Sequence, residues 1–137
     1  EVNLQIAAAI AELSSQGYTP ALALFHDAQD AYHDRPRRDR DTCANVFDAM
    51  ESVAKEVFQL PNVTFGSILA HIRKTQALQA EIIDVFEKVN SLRNHKFGHG
   101  MTVPFDLSLA EVDFTYLTCI AGILLFVRTK QTVQPSS

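Results

Sequence analysis

The run of residues 91–100 gathers the side chains of this sequence that are best suited to chemistry. It contains Arg93, Asn94, Lys96 and two histidines, His95 and His99. Arginine presents a fixed fork of donors to phosphate oxygens, and histidine takes up or releases a proton near neutral pH. Transesterification of RNA needs such groups: a base for the 2′-hydroxyl, an acid for the departing 5′-oxygen and a cation for the phosphorus oxygens. The run therefore predicts a phosphodiester-cleaving site that requires no metal.

The residues before this run predict a helix that delivers it. Apolar side chains recur with helical spacing over residues 80–92 and are predicted to face the core, at Ile82, Ile83, Phe86, Val89 and Leu92. On an ideal helix Arg93 and His99 lie about 120° apart around the axis, so they do not share a face. We expect Gly98 to let the helix unwind, and the long side chain of Arg93 extends its reach.

The rest of the chain also has helical periodicity. The apolar patterns and stop signals predict helices over residues 2–13, 20–33, 40–58, 64–72, 80–92 and 108–130. Thr19 before Pro20 and Thr64 are predicted caps, and Ser108 with Glu111 forms a capping box. Strand signals are nearly absent. The fold class is therefore predicted as an all-α bundle of about five to six helices, with a core that includes Phe47, Met50, Phe58, Phe114, Tyr116 and Phe126.

Length and charge patterning suggest how the chain is organised. A length of 137 residues fits one compact domain. The polar segment 34–41 is the predicted hinge between an N-terminal helical hairpin, residues 1–34, and a helical bundle, residues 35–131; residues 132–137 form a tail. The chain begins at Glu1 and not at Met, so we expect it to be a piece of a longer protein.

Composition excludes several classes of protein. With 47% hydrophobic and 20% charged residues the chain is not intrinsically disordered, and its net charge of −4 confines any nucleic-acid contact to a local site. The longest apolar run, residues 117–127, is shorter than the roughly 20 residues of a membrane span, so no membrane contact is expected. Free, buried thiols at Cys43 and Cys119 and the lack of a secretion signal predict a cytoplasmic protein.

Arg93-Asn94 followed by His99 resembles the R-N-x4-H form of the signature of HEPN domains, which are compact all-α proteins of toxin and antiviral systems. Many members of that family are metal-independent endoribonucleases. Residues 40–128 are also similar to the C-terminal module of bacterial abortive-infection proteins. The resemblance implies an HEPN-like bundle and an endoribonuclease effector of a bacterial defence protein.

The resemblance also implies a role for each matching residue. Arg93 would bind the phosphate and stabilise the transition state, and Asn94 would be the polar residue that orients the reacting groups. His99 would be the general base or acid, and His95 and Lys96 would contact RNA. In the family the groove commonly forms between two copies, which would bring a second His99 to the reaction, so a homodimer is expected. The family implies no metal and no cofactor, and it suggests an N-terminal sensor domain or an antitoxin as a further partner.

Three other interpretations of the run stay open. Cations at a helix C-terminus complement the dipole, and Gly98 or Gly100 would then supply a left-handed cap. His95 and His99 could bind zinc if His71 or Asp106 supplied a third ligand. The same helices could also form a non-catalytic dimerisation or partner- or ligand-binding module.

Overall fold

The computed structural model describes residues 2–98 and 104–133. These residues form six α-helices and one π-helical segment, which are α1 Val2–Ser15, α2 Thr19–His33, α3 Asp39–Phe58, α4 Phe65–Thr75, α5 Ala80–Leu92, the π segment Arg93–Phe97 and α6 Leu109–Val133. The described residues contain no strand. The prediction of an all-α bundle is confirmed.

The starts of α4 and α6 follow local capping signals. Thr64 Oγ1 accepts a hydrogen bond from Ser67 N at 3.1 Å at the start of α4. Ser108 N donates to Glu111 Oε1 at 2.8 Å, and Glu111 N donates to Ser108 Oγ at 3.1 Å. The backbone donor at Ser108 also lowers the pKa of the Glu111 carboxyl. These predicted caps are confirmed, whereas the cap predicted at Thr19 is wrong, because α2 already begins at that residue.

Helix α3 lies at the centre of the bundle and packs against α2, α4 and α6. Gly122 lets α6 approach closely, because a Cβ at this position would lie 2.5 Å from Met50 Sδ and 2.9 Å from the ring of Phe86. A cluster of aromatic rings fills the space between α3, α4, α5 and α6, and its members are Phe47, Phe58, Phe65, Phe86, Phe97 and Phe126.

Most of the predicted core is buried or partly buried, but two predicted core residues are exposed. Phe114 is 66% exposed and Ile82 is 40% exposed, so both predictions are wrong. Phe114 follows the fully buried Val112 by two residues, which places its side chain about 160° around the helix, on the outer face. Helical spacing identifies the apolar positions of a helix, but in α6 apolar residues lie on the outer face as well as on the buried face.

The N-terminal hairpin shares its hydrophobic core with the other helices. Leu13 on α1 and Phe25 on α2 belong to the same buried cluster as the apolar residues of α3 and α6. The segment predicted as a hinge is tied to α6, because Arg37 lies 3.0 Å from Asp113 and stacks over Tyr32. The division into residues 1–34 and 35–131 stays a prediction, and residues 134–137 of the predicted tail lie outside the described residues.

Helix α6 is longer than the apolar run seen in the sequence. By length and composition its segment Leu109–Thr129 is sufficient to cross a membrane, and no other helix among the described residues meets that test. Within the bundle, 56% of the tested window is buried. Helix α6 packs against α1 and α3 and is buried as a core helix would be. Its burial, and not its length, favours its interpretation as a core helix of the bundle.

Burial of Cys43 and Tyr116 makes the stability of the fold depend on pH in the alkaline range. Burial raises the pKa of Cys43 to about 12 and that of Tyr116 to about 12. The folded chain therefore holds protons that the unfolded chain has lost, between roughly pH 9 and 12 for Cys43 and between roughly pH 10 and 12 for Tyr116. Within these windows the free energy of unfolding falls as pH rises, by about 1.4 kcal/mol per pH unit for each group. Urea titrations at about pH 8 and about pH 10.5 should show this decrease. The decrease should be smaller in Cys43→Ala, and an unchanged decrease in that variant would contradict the assignment.

Candidate functional site

Helix α5 continues into the π segment without a break. The backbone of Arg93 is still helical, and its N–H bonds to the carbonyl oxygens of Asn90 and Val89. Short π segments within helices occur frequently at functional sites. Unwinding was predicted at Gly98, whereas the structure shows a change from α-helical to π-helical geometry at Arg93, and the helix ends at Gly98.

Gly98 ends the π segment in an extended conformation, with φ −65°. The predicted left-handed cap at Gly98 is therefore wrong, and Gly100 lies outside the described residues. A Cβ at Gly98 would lie 3.1 Å from the carbonyl oxygen of Arg93. Glycine suits this position because the carbonyl of Arg93 approaches it so closely that a side chain would be crowded.

The guanidinium of Arg93 lies between an aromatic ring and a carboxylate of α3. Its central carbon is 5.2 Å from the centre of the Phe47 ring. Its Nη2 atom is 3.8 Å from Asp48 Oδ1, a distance typical of a loose ion pair. The side chain is 23% exposed. Stacking and partial burial hold the guanidinium in place while leaving part of it accessible.

Two adjoining cavities meet at Arg93. The first, the α3 cavity, has a volume of about 780 Å³ and is lined by Leu24, Asp48, Glu51, Ser52, Lys55, Glu56, Gln59, Pro61 and Arg93. The second, the asparagine cavity, has a volume of about 670 Å³ and is lined by Glu51, Lys55, residues 61–66, Asn90, Arg93 and Asn94. Glu51, Lys55, Pro61 and Arg93 belong to both linings. A ligand larger than either cavity could therefore extend across this shared wall.

The polar groups of α3 at this site were missed from the sequence. Asp48, Glu51 and Lys55 recur at three- and four-residue spacing on a helix whose other faces are apolar. That polar stripe was the available signal, since such a stripe on a central helix marks a face that is not packed. Glu51 and Lys55 form an ion pair at 3.9 Å.

The two cavities differ in charge. Among the described lining residues the α3 cavity has three carboxylates, of Asp48, Glu51 and Glu56, and two cations, so its formal charge is 2 − 3 = −1. The asparagine cavity has the same two cations, Lys55 and Arg93, but one carboxylate, so its formal charge is 2 − 1 = +1. An anionic group is therefore better accommodated on the side of the asparagine cavity.

Of the four predicted site residues that the structure describes, it brings Arg93 and Asn94 together in one cavity. Asn94 lies in the asparagine cavity beside Arg93, and its Oδ1 accepts from Arg93 Nη1 at a long 3.4 Å. His95 Nδ1 lies 2.7 Å from the Ser91 carbonyl oxygen, which can only accept, so this nitrogen carries the proton. Lys96 pairs with Asp106 at 3.2 Å.

Neither His95 nor Lys96 is among the residues that line the two cavities. His99 lies outside the described residues. The described part of the site therefore consists of Arg93 and Asn94 from the π segment together with the polar groups of α3.

No cluster of zinc ligands is present in the described part of the chain. Residues 2–98 and 104–133 contain no group of three or more His, Cys, Asp or Glu side chains that could hold a metal ion. His71 packs against the ring of Phe58, and Asp106 pairs with Lys96. Both residues named as a third ligand thus have other contacts.

Comparisons of the chain with protein-family profiles, with curated proteins and with solved structures found no match. An all-α bundle hosts many activities. Function is therefore inferred from the chemistry of the site.

Proposed function

We propose that this chain is an HEPN-like, metal-independent endoribonuclease, the effector module of a bacterial defence protein of the abortive-infection or toxin kind, acting as a homodimer in the cytoplasm. One observation carries the proposal. Arg93, the arginine of the R-N-x4-H motif, lies in the wall that two cavities share, beside Lys55 and Glu51. A partly exposed guanidinium in a concave, polar setting is suited to bind the oxygens of a phosphodiester.

The proposed reaction is a transesterification of RNA. The 2′-oxygen forms a bond to phosphorus as its proton passes to a general base, and the bond from phosphorus to the 5′-oxygen breaks as that oxygen receives a proton from a general acid. The products are a 2′,3′-cyclic phosphate and a 5′-hydroxyl. Arg93 stabilises the negative charge on the phosphorus oxygens, Asn94 orients the reacting groups, and His99 transfers a proton. His95 and Lys96 contact the RNA beside the site.

The second proton-transfer group has two candidates. A homodimer would supply the His99 of the other copy. Within one chain, Glu51 is the corresponding candidate, because its carboxylate lines both cavities together with Arg93 and is 17% exposed. A carboxylate can serve as the base for a hydroxyl proton.

Activity of the wild-type chain on single-stranded RNA tests the proposal. We expect cleavage in the presence of EDTA, with 2′,3′-cyclic phosphate ends, and a dimer in light scattering. His99→Ala should abolish cleavage while circular dichroism shows the helical content unchanged. Cleavage that requires a divalent ion, or that survives in His99→Ala, would contradict the proposal.

A non-catalytic dimerisation or partner-binding module is the second candidate function. It is favoured by an exposed apolar face of α6, where Phe114 is 66% and Leu117 is 38% exposed. Met50 of α3 faces α6, and Asp48 and Lys55 lie about 140–160° around α3 from it. The cavities therefore do not lie on the face of α3 that packs against α6. A dimer without RNA turnover would favour this candidate.

A further inference from the structure

We infer that the asparagine cavity binds the base of a nucleotide beside the scissile phosphate and gives the enzyme a preference for one base at that position; the inference rests on the proposed ribonuclease function. The phosphate would lie at the shared wall, against Arg93 and Lys55. The adjoining volume of about 670 Å³ is within the range of small-molecule sites.

The lining of this cavity provides hydrogen-bonding groups that match base edges. Asn62, Asn90 and Asn94 are three of the residues that line this cavity, and each carries a side-chain amide. Each amide carries a donor and an acceptor, and an unpaired base presents donors and acceptors on its Watson–Crick and Hoogsteen edges. The set can therefore distinguish bases by their hydrogen-bond pattern.

The same lining provides little surface for stacking. Phe65 is the aromatic residue among the described lining residues, and it is 2% exposed. Sites that bind single strands without sequence preference stack the bases on exposed aromatic rings. A cavity that is lined by asparagines and whose aromatic ring is buried is instead suited to recognise a base by hydrogen bonds.

Asn90 is the residue best placed for this role. It is half-buried, and its Nδ2 atom lies 3.4 Å from the position that a Cβ on Gly66 would occupy. The amide thus lies against the first turn of α4, where Gly66 leaves room for it. The cavity is also formally positive, which suits a nucleotide whose phosphate lies at its edge.

The experiment is cleavage of an RNA library randomised around the cut site, followed by sequencing of the product ends. We expect the wild-type enzyme to prefer one base on one side of the cut by about 5- to 100-fold. In Asn90→Leu the ratio of cleavage at the preferred base to cleavage at the other bases should fall toward one. Asn90→Asp replaces a donor by an acceptor, so in this variant the preferred base should change. Asn3→Asp, an exposed asparagine of α1 outside both linings, is the matched control and should keep the wild-type preference.

A second measurement separates this inference from the proposed function. In NMR titrations with the four nucleoside 3′-monophosphates, the side-chain amide signals of Asn62 and Asn90 should shift, and one base should bind most tightly. Monophosphate binding without RNA cleavage would contradict the ribonuclease function and support a base-binding cavity. Cleavage without base preference, or with a preference that both Asn90 variants retain, would overturn the inference and leave the ribonuclease function in place.

Discussion

Replacing Arg93 by alanine should lower the rate of RNA cleavage about a hundred- to a thousandfold, which is the usual effect of removing one preorganised donor from a transition state. The guanidinium lies in the wall shared by the two cavities and has no short hydrogen bond to the described residues, since its distances to Asn94 and Asp48 are 3.4 and 3.8 Å. It is thus available to a phosphate. We expect the loss mainly in kcat, because the negative charge on the phosphorus oxygens develops in the transition state.

Two controls make the test specific. Arg93→Lys keeps the charge but removes the planar fork, so an intermediate rate is expected. Arg73→Ala removes an exposed arginine that pairs with Asp84 and Glu87 and lines neither cavity at Arg93. This control should cleave at the wild-type rate. If Arg93→Ala and Arg73→Ala cleave RNA equally well, Arg93 does not contact the reacting phosphate.

Phe126→Ala should lower the free energy of unfolding by about 3–5 kcal/mol, as is typical of truncating a fully buried phenylalanine. The Phe126 side chain is 0% exposed and contacts the rings of Phe58, Phe65 and Phe86. Its removal leaves a cavity where α3, α4 and α5 meet α6. A loss of this size is a large part of the total stability of a domain, which is about 5–15 kcal/mol.

The same helix provides the matched control for Phe126. Phe114 is 66% exposed, so Phe114→Ala should change the free energy of unfolding by only about 0.5 kcal/mol. Urea titrations monitored by circular dichroism measure both variants. Equal losses in the two variants would show that the burial assigned to α6 is incorrect.

The helices and several of their ends could be predicted from the sequence because their signals are local. The predicted bounds of α5, residues 80–92, are those observed. The caps at Thr64 and Ser108 are likewise set by residues within one turn. Such hydrogen bonds depend on the neighbouring three or four residues, which are adjacent whatever the rest of the chain does.

The composition of the site was only partly predictable. The motif residues Arg93 and Asn94 could be identified because they are adjacent in the sequence, whereas Asp48, Glu51 and Lys55 could not, because some 40 residues separate them from Arg93. Only the packing of the π segment on α3 places the Arg93 guanidinium over the ring of Phe47. The direction of Lys96 toward Asp106 is also a result of packing.

Local signals in the chain were sufficient to predict an all-α fold, the approximate positions of its helices and a cationic motif after the fifth helix. The tertiary structure decided which face of each helix is buried, as the contrast of Phe114 and Phe126 within α6 demonstrates. It also decided that Arg93 lies in the wall of two cavities. The physical reason is that helix formation depends on contacts within one turn, whereas burial and cavities depend on how segments distant in the chain fill space against each other.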